Sequence, residues 1–297
     1  MNPIIQQFFN YVKKPHAFFD ENLTLKEKWK TLGWILGLSF ILVFCATPLI
    51  ALVDSFIIPL KQDTFEEIIS NMGVVPILFL VAVAAPILEE LVFRLFLKYE
   101  RNFIFRGIDL LCNNWLQQFW KKHFHFFFYL STLLFGLVHI GNYDNSSMLF
   151  YIVAPILVLP QLIVGLTLGF LRMKLGFLWG VLMHGLYNFI LVGASLLLFN
   201  NISFSEINND DVTLKIEAIE MGLNQASTSN IYKTNQVVDS VIVTNYKVNE
   251  LGKQLFPTDS SLLKNNKRIN LRFINHSKET EAHLIIAEEL KEYYAKE

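Results

Sequence analysis

Apolar residues gather into long runs between positions 31 and 200 and thin out sharply beyond them. A helix needs about 20 mostly apolar residues to cross the hydrocarbon layer. Five segments answer to that length, roughly 32–58, 73–98, 125–141, 148–171 and 176–199. The third is short, but Phe124, Phe126, Phe127, Phe128 and Tyr129 give it an aromatic entrance of the kind found at membrane interfaces. Residues 102–122 are too polar to span and read as interfacial or re-entrant, with room for one further half-helix. Residues 1–30 predict an amphipathic surface segment with Phe8, Phe9, Phe18 and Phe19 as anchors. The fold class expected is an all-α polytopic membrane protein of five or six transmembrane helices, its core at 31–200.

Residues 205–297 break the pattern. VVDSVIVTNY (237–246) and RINLRFIN (268–275) alternate like strands, and 279–296 carries helical apolar spacing through Leu284, Ile285, Ala287, Leu290 and Tyr293. A small soluble C-terminal α+β module is expected there, with no chemical motif in it.

Composition sharpens this division. The 297 residues are 53% hydrophobic and only 17% charged, against about 25% charged in soluble domains. A net charge of −1 argues against a nucleic-acid partner. Cys45 and Cys112 lie far apart and form neither a CxxC pair nor a disulfide framework, so both read as bystanders. Lys13, Lys14, Lys26, Lys28 and Lys30 precede the first span, and Lys98, Arg101, Arg106, Lys121 and Lys122 follow the second. Arg172 and Lys174 lie between the fourth and fifth, while Asp63, Glu66, Glu67 and Asp144 mark the alternate loops. The bias puts the N-terminus in the cytoplasm and, with five spans, the C-terminal module outside. The many Asn and Ser of that module agree.

Chemistry enters through polar residues in apolar helices. The second span carries Glu89, Glu90 and Arg94, each costing about 2.5–3.5 kcal/mol near a helix centre, so they should face a protein interior or a wet cavity. Residues four apart lie about 40° apart around the axis, which pairs Glu90 with Arg94. Glu89 points elsewhere and is the available base. Pro86 predicts a local kink. His139 closes the third span, and His184 and Asn188 share one face of the fifth. Gly136, Gly165, Gly169, Gly176, Gly180 and Gly185 would let these helices approach closely. A carboxylate can take a proton from water, two histidines can hold a metal or the water itself, and an amide can steady an oxyanion. The bland alternatives are a satisfied Glu–Arg pair, an interfacial His139 and a His184–Asn188 pair serving as interhelical glue. Asp54, near the end of the first span, reads as interfacial.

EELVFR (89–94), FGLVH (135–139) and HGLYN (184–188) fit the patterns EExxxR, FxxxH and HxxxN. In this order, on membrane spans, they resemble the CAAX protease and bacteriocin-processing family of intramembrane peptidases (CPBP, or Abi), over about residues 74–195. The resemblance implies an intramembrane endopeptidase whose substrate is a membrane-associated protein or peptide. It implies Glu89 as the acid that activates water, supported by Glu90 and Arg94. His139 and His184 would position the water or a metal, and Asn188 would stabilise the oxyanion. It leaves open a divalent metal such as zinc on Glu89, His139 and His184, or a metal-free glutamate mechanism; there is no HExxH. The Asn-, Ile- and Lys-rich chain and small core suggest a bacterial cell membrane, so prenyl-CAAX cleavage is not expected, and bacteriocin self-immunity is a family role in such cells. The rivals are a catalytically silent immunity or scaffold protein acting by binding, and a proton-coupled transporter. Oligomeric state is not legible.

Overall fold

The computed structural model describes residues 2–17, 22–60, 74–111, 115–143, 145, 147–198, 202–219 and 226–295. Phe18, Phe19, Asp63, Glu66, Glu67, Cys112 and Asp144 lie outside the described residues. The chain divides into two compact units, the first ending at Val192 and the second taking in a C-terminal sheet.

Helix α1 (Pro3–Lys13) starts with a capping Asn2 side chain and a proline at its first position. Its apolar face turns inward. Phe8 and Tyr11 are buried, with Phe8 5.5 Å from the Phe170 ring. Phe8 is therefore a packing residue and not the lipid anchor expected of it, because it seats edge-on against the Phe170 ring inside the bundle. Phe9 stays exposed. Helix α2 (Leu25–Phe56) opens with a capping box between Thr24 and Glu27. Its 32 residues reach about 48 Å at 1.5 Å each, so the turn bearing Lys26, Lys28 and Lys30 extends beyond a hydrocarbon layer about 30 Å thick. Asp54 accepts a hydrogen bond from Leu60 N at 2.7 Å, closing the far end of this span.

The second span is interrupted: α3 (Val74–Phe79), one π-helical turn (Leu80–Ala84) and α4 (Ala85–Phe93). Two short helices follow, α5 (Phe103–Asp109) and α6 (Trp115–Lys122), in the stretch expected at the interface. They are joined by Asp109, which accepts from Tyr99 Oη at 2.5 Å and from the amides of Leu116 and Gln117. Burial and the hydrogen bond to Asp109 push the Tyr99 hydroxyl up to about 12. Helix α7 (Phe124–Val138) runs into a 3₁₀ turn at His139–Asn142. The fourth apolar run is not one straight span. It is α8 (Met148–Leu157) and α9 (Leu159–Lys174), bent by 40°, and Pro155 and Pro160 around the break each remove a backbone donor. Helix α10 (Phe177–Leu198) completes the bundle. By length and composition four helices can cross a membrane, and five if the bent pair is one span. Phe44 (78% exposed) and Val92 (64%) are among many large apolar side chains left outside, as a bilayer solvent permits.

The interior is aromatic. Phe124, Phe128, Phe135 and Phe170 are essentially fully buried beside Leu168 and Leu171. Glycines admit this bulk: a Cβ on Gly169 would meet the Phe128 ring, and one on Gly136 would meet the Leu162 side chain. Ser39 donates to Thr167 Oγ1 at 3.0 Å, a buried hydrogen bond between α2 and α9.

The second unit is a five-stranded antiparallel sheet, ordered β1 (Ile202–Asn208), β2 (Val212–Ile219), β5 (Arg268–Asn275), β4 (Val237–Lys247), β3 (Thr228–Thr234). Positive φ at Asn235 and Gln236 makes the tight β3–β4 turn. Leu214, Ile216, Val241, Val243, Leu271 and Phe273 line one core with α11 (Val248–Leu255), α12 (Ser260–Lys264) and α13 (Leu284–Tyr294). Only β4, β5 and the last helix were legible from alternation and spacing. β3 has no buried residue among its seven, so it leaves no alternating signal.

Candidate active site

The kink in the second span is where the site begins. In the π turn, Ala85 N–H reaches back to Leu80 O, one residue further than in an α-helix. Val81 O would next accept from position 86, but Pro86 has no N–H. The side chain of Asn188 on α10 fills that gap, donating from Nδ2 to Val81 O at 2.8 Å. Gly185, one turn earlier on α10, has the Ala82 carbonyl where a Cβ would be. Two HxxxN-segment residues thus dock α10 onto the kinked backbone itself.

One turn past Pro86 stand the two glutamates. Glu90 is fully buried, and its Oε1 accepts from Arg94 Nη1 at 2.5 Å and lies 3.2 Å from His184 Nδ1. With Nδ1 set on Glu90, the His184 ring turns Nε2 away from it. Nε2 lies 3.6 Å from Glu89 Oε2, too far for a direct hydrogen bond. Glu89 keeps 28% of its side chain accessible while its Oε2 is buried without a hydrogen-bond partner. Gly180 provides the space beside Glu90, since a Cβ there would stand 3.2 Å from Oε2.

Phe135 joins the three motifs. Its ring lies 4.0 Å beneath the Arg94 guanidinium, 4.9 Å from the His139 ring and 5.6 Å from that of His184. Its carbonyl accepts from His139 Nδ1 at 2.7 Å, which fixes that tautomer and leaves Nε2 as an acceptor. Among the described residues no hydrogen bond or ion pair links His139 to either glutamate. Thus Glu89, Glu90, Arg94 and His184 come together, Asn188 joins their span at Val81, and His139 meets the group through the Phe135 ring.

The far end of α4 is closed by residues that the sequence did not single out as part of the site. Ser131 Oγ donates to Phe93 O at 2.6 Å, while Arg172 donates from Nε to Arg94 O at 3.1 Å and from Nη2 to Leu95 O at 3.2 Å. Arg172 was expected as a loop cation. It is instead a buried side chain in the last turn of α9, set against orphan carbonyls of a helix C-terminus. No sequence signal separates it from an ordinary flanking charge.

Among the described residues no three His, Cys, Asp or Glu side chains converge closely enough to hold a metal ion, so Glu89, His139 and His184 do not make a ligand set in this geometry.

Fold and site together define a polytopic helical membrane protein with an acid–histidine cluster buried in its bundle. Residues 71–190 match the family model described as type II CAAX prenyl endopeptidase Rce1-like. This match agrees with the resemblance carried by the three motifs, and it supports a protease acting on a peptide or protein in a membrane setting. No curated protein and no solved structure matches the chain.

Proposed function

We propose that this protein is an intramembrane endopeptidase in which Glu89 activates the hydrolytic water. The observation that carries the reading is Glu89 Oε2, a buried carboxylate oxygen with no hydrogen-bond partner, 3.6 Å from His184 Nε2. Orphaned buried oxygens are costly, and active sites are where they recur. In this reading the hydrolytic water bridges that gap, hydrogen-bonded to both Oε2 and Nε2. Glu89 takes its proton as the oxygen attacks the substrate carbonyl, and returns it to the leaving amide nitrogen. Glu90 holds His184 in place and is itself held by Arg94. Asn188 spends one N–H on Val81 O, and its second serves the oxyanion. His139, held through Nδ1 on Phe135 O, presents Nε2 as an acceptor to a water or the substrate.

The substrate is a membrane-associated protein or peptide, and the site lies in a cell membrane with the N-terminus in the cytoplasm. The C-terminal sheet stands outside as a soluble module.

The test is cleavage by purified protein in detergent, wild type against Glu89→Ala and His184→Ala, on membrane-protein and lipidated-peptide substrates, a farnesylated CAAX peptide among them. Cleavage by wild type alone supports the peptidase, and a chelator arm reports on metal. Variants that keep full activity in cells would point instead to a protein acting by binding.

A further inference from the structure

A cavity of about 340 Å³ opens where the second span ends and α9 passes into α10. Its lining is cationic: Lys98, Arg101 and Arg172, with Gly176, Phe177 and Leu178 from the α9–α10 corner. No carboxylate lines it. Glu100, between two of the cations in sequence, lines another cavity, although its charge also acts on Arg172. Gly176 takes φ 102° at this corner, a left-handed conformation that costs a side chain but not glycine, and α10 begins at the next residue. The first-turn amides of a 22-residue helix, with no acid among them, add positive potential to the three cations.

The depth of the cavity is marked independently. Trp179, one residue beyond its lining, packs edge-on against Trp29 at 5.1 Å, and Trp29 is half exposed. Paired tryptophans at a helix end belong at headgroup level. Leu178, 76% exposed, stands on the rim as an apolar contact for an acyl chain.

We propose that this cavity binds a phosphate group, and that its apolar rim at headgroup depth assigns the phosphate to an anionic membrane lipid. Arg172 would then serve two partners. Two of its nitrogens hold Arg94 O and Leu95 O, and the same side chain lines the lipid cavity.

The experiment takes the full chain in detergent and follows its unfolding temperature with phosphatidylglycerol, with phosphatidylcholine of equal chain length, and with inorganic phosphate. Variants are Lys98→Gln with Arg101→Gln, Arg101→Gln alone, and Lys121→Gln with Lys122→Gln as a control of equal charge change. Phosphatidylglycerol should stabilise wild type and control alike, phosphatidylcholine should not, and the double variant should need about tenfold more lipid. Arg101→Gln, at an exposed position, should shift the same way by less, which keeps the test readable should the double variant fold poorly. Equal responses from all variants, or from both lipids, would overturn the site. Equal protection by inorganic phosphate would overturn the assignment to lipid.

Discussion

Asn188 donates to the Val81 carbonyl at 2.8 Å, and Val81 is the residue whose helical donor Pro86 removes. A proline on one span and an amide on another are thus two halves of one backbone hydrogen bond. Asn188→Ala should cost about 0.6 kcal/mol and at most about 1.7, the average and the maximum for interhelical hydrogen bonds in membranes. Pro86→Ala restores an N–H, so in that background the Asn188→Ala cost should shrink. A double-mutant cycle on detergent unfolding checks this, and strict additivity would break the link.

Phe135→Leu removes the ring beneath Arg94 while keeping an apolar side chain. The loss expected is about 1 kcal/mol of stability, from a cation–π contact, with a larger fall in proteolysis as Arg94 and His184 lose their common wall. Proteolysis at the wild-type rate would show that the ring only fills space.

Gly185→Ala drives a Cβ into the Ala82 carbonyl, which is backbone and cannot rotate aside. Overpacking of this kind costs about 1–3 kcal/mol. Gly33→Ala, where a Cβ meets nothing within 4 Å, is the matched control and should be near neutral. The unfolding midpoints of the two variants decide the point.

Asp259, capping α12, is held down to about 2 by hydrogen bonds from Lys291 and Ser261. Its folded pKa lies below the unfolded value near 3.9, so its contribution is present above pH 4 and is lost as the pH falls towards 2. Melting of wild type and Asp259→Asn from pH 6 to pH 2 should show a gap that closes on the acid side. A constant gap would place the effect elsewhere.

The proposed topology has five crossings, which would put the two ends of the chain on opposite sides of the membrane. A phosphatase fused after residue 297 should be active, and cytoplasmic fluorescence from the same position would sink the five-span topology.

The spans and the Glu90–Arg94 pair were legible because each writes a local period: about twenty apolar residues, or a spacing of four. The break at Val158 was written too, in Pro155 and Pro160, but an apolar run drowns two prolines when only length is weighed. Phe135 was marked only as the first residue of FxxxH, without a role, and Arg172 could not be found as a site member at all. Their roles depend on which helix lies alongside, and nothing in either residue's own neighbourhood records that. Phe8 misled for the opposite reason, since an aromatic on an amphipathic helix suits a lipid surface and a protein surface equally.

The glutamate-bearing helix borrows its backbone partners from three others: Ser131 on α7, Arg172 on α9 and Asn188 on α10. During synthesis these arrive in order, the last only when the final span enters the bilayer. Until then Val81 keeps its bare carbonyl, and Glu90 lacks the histidine beside it. A chain truncated before α10 would therefore carry both acids without the amide at Val81 or the histidine beside Glu90.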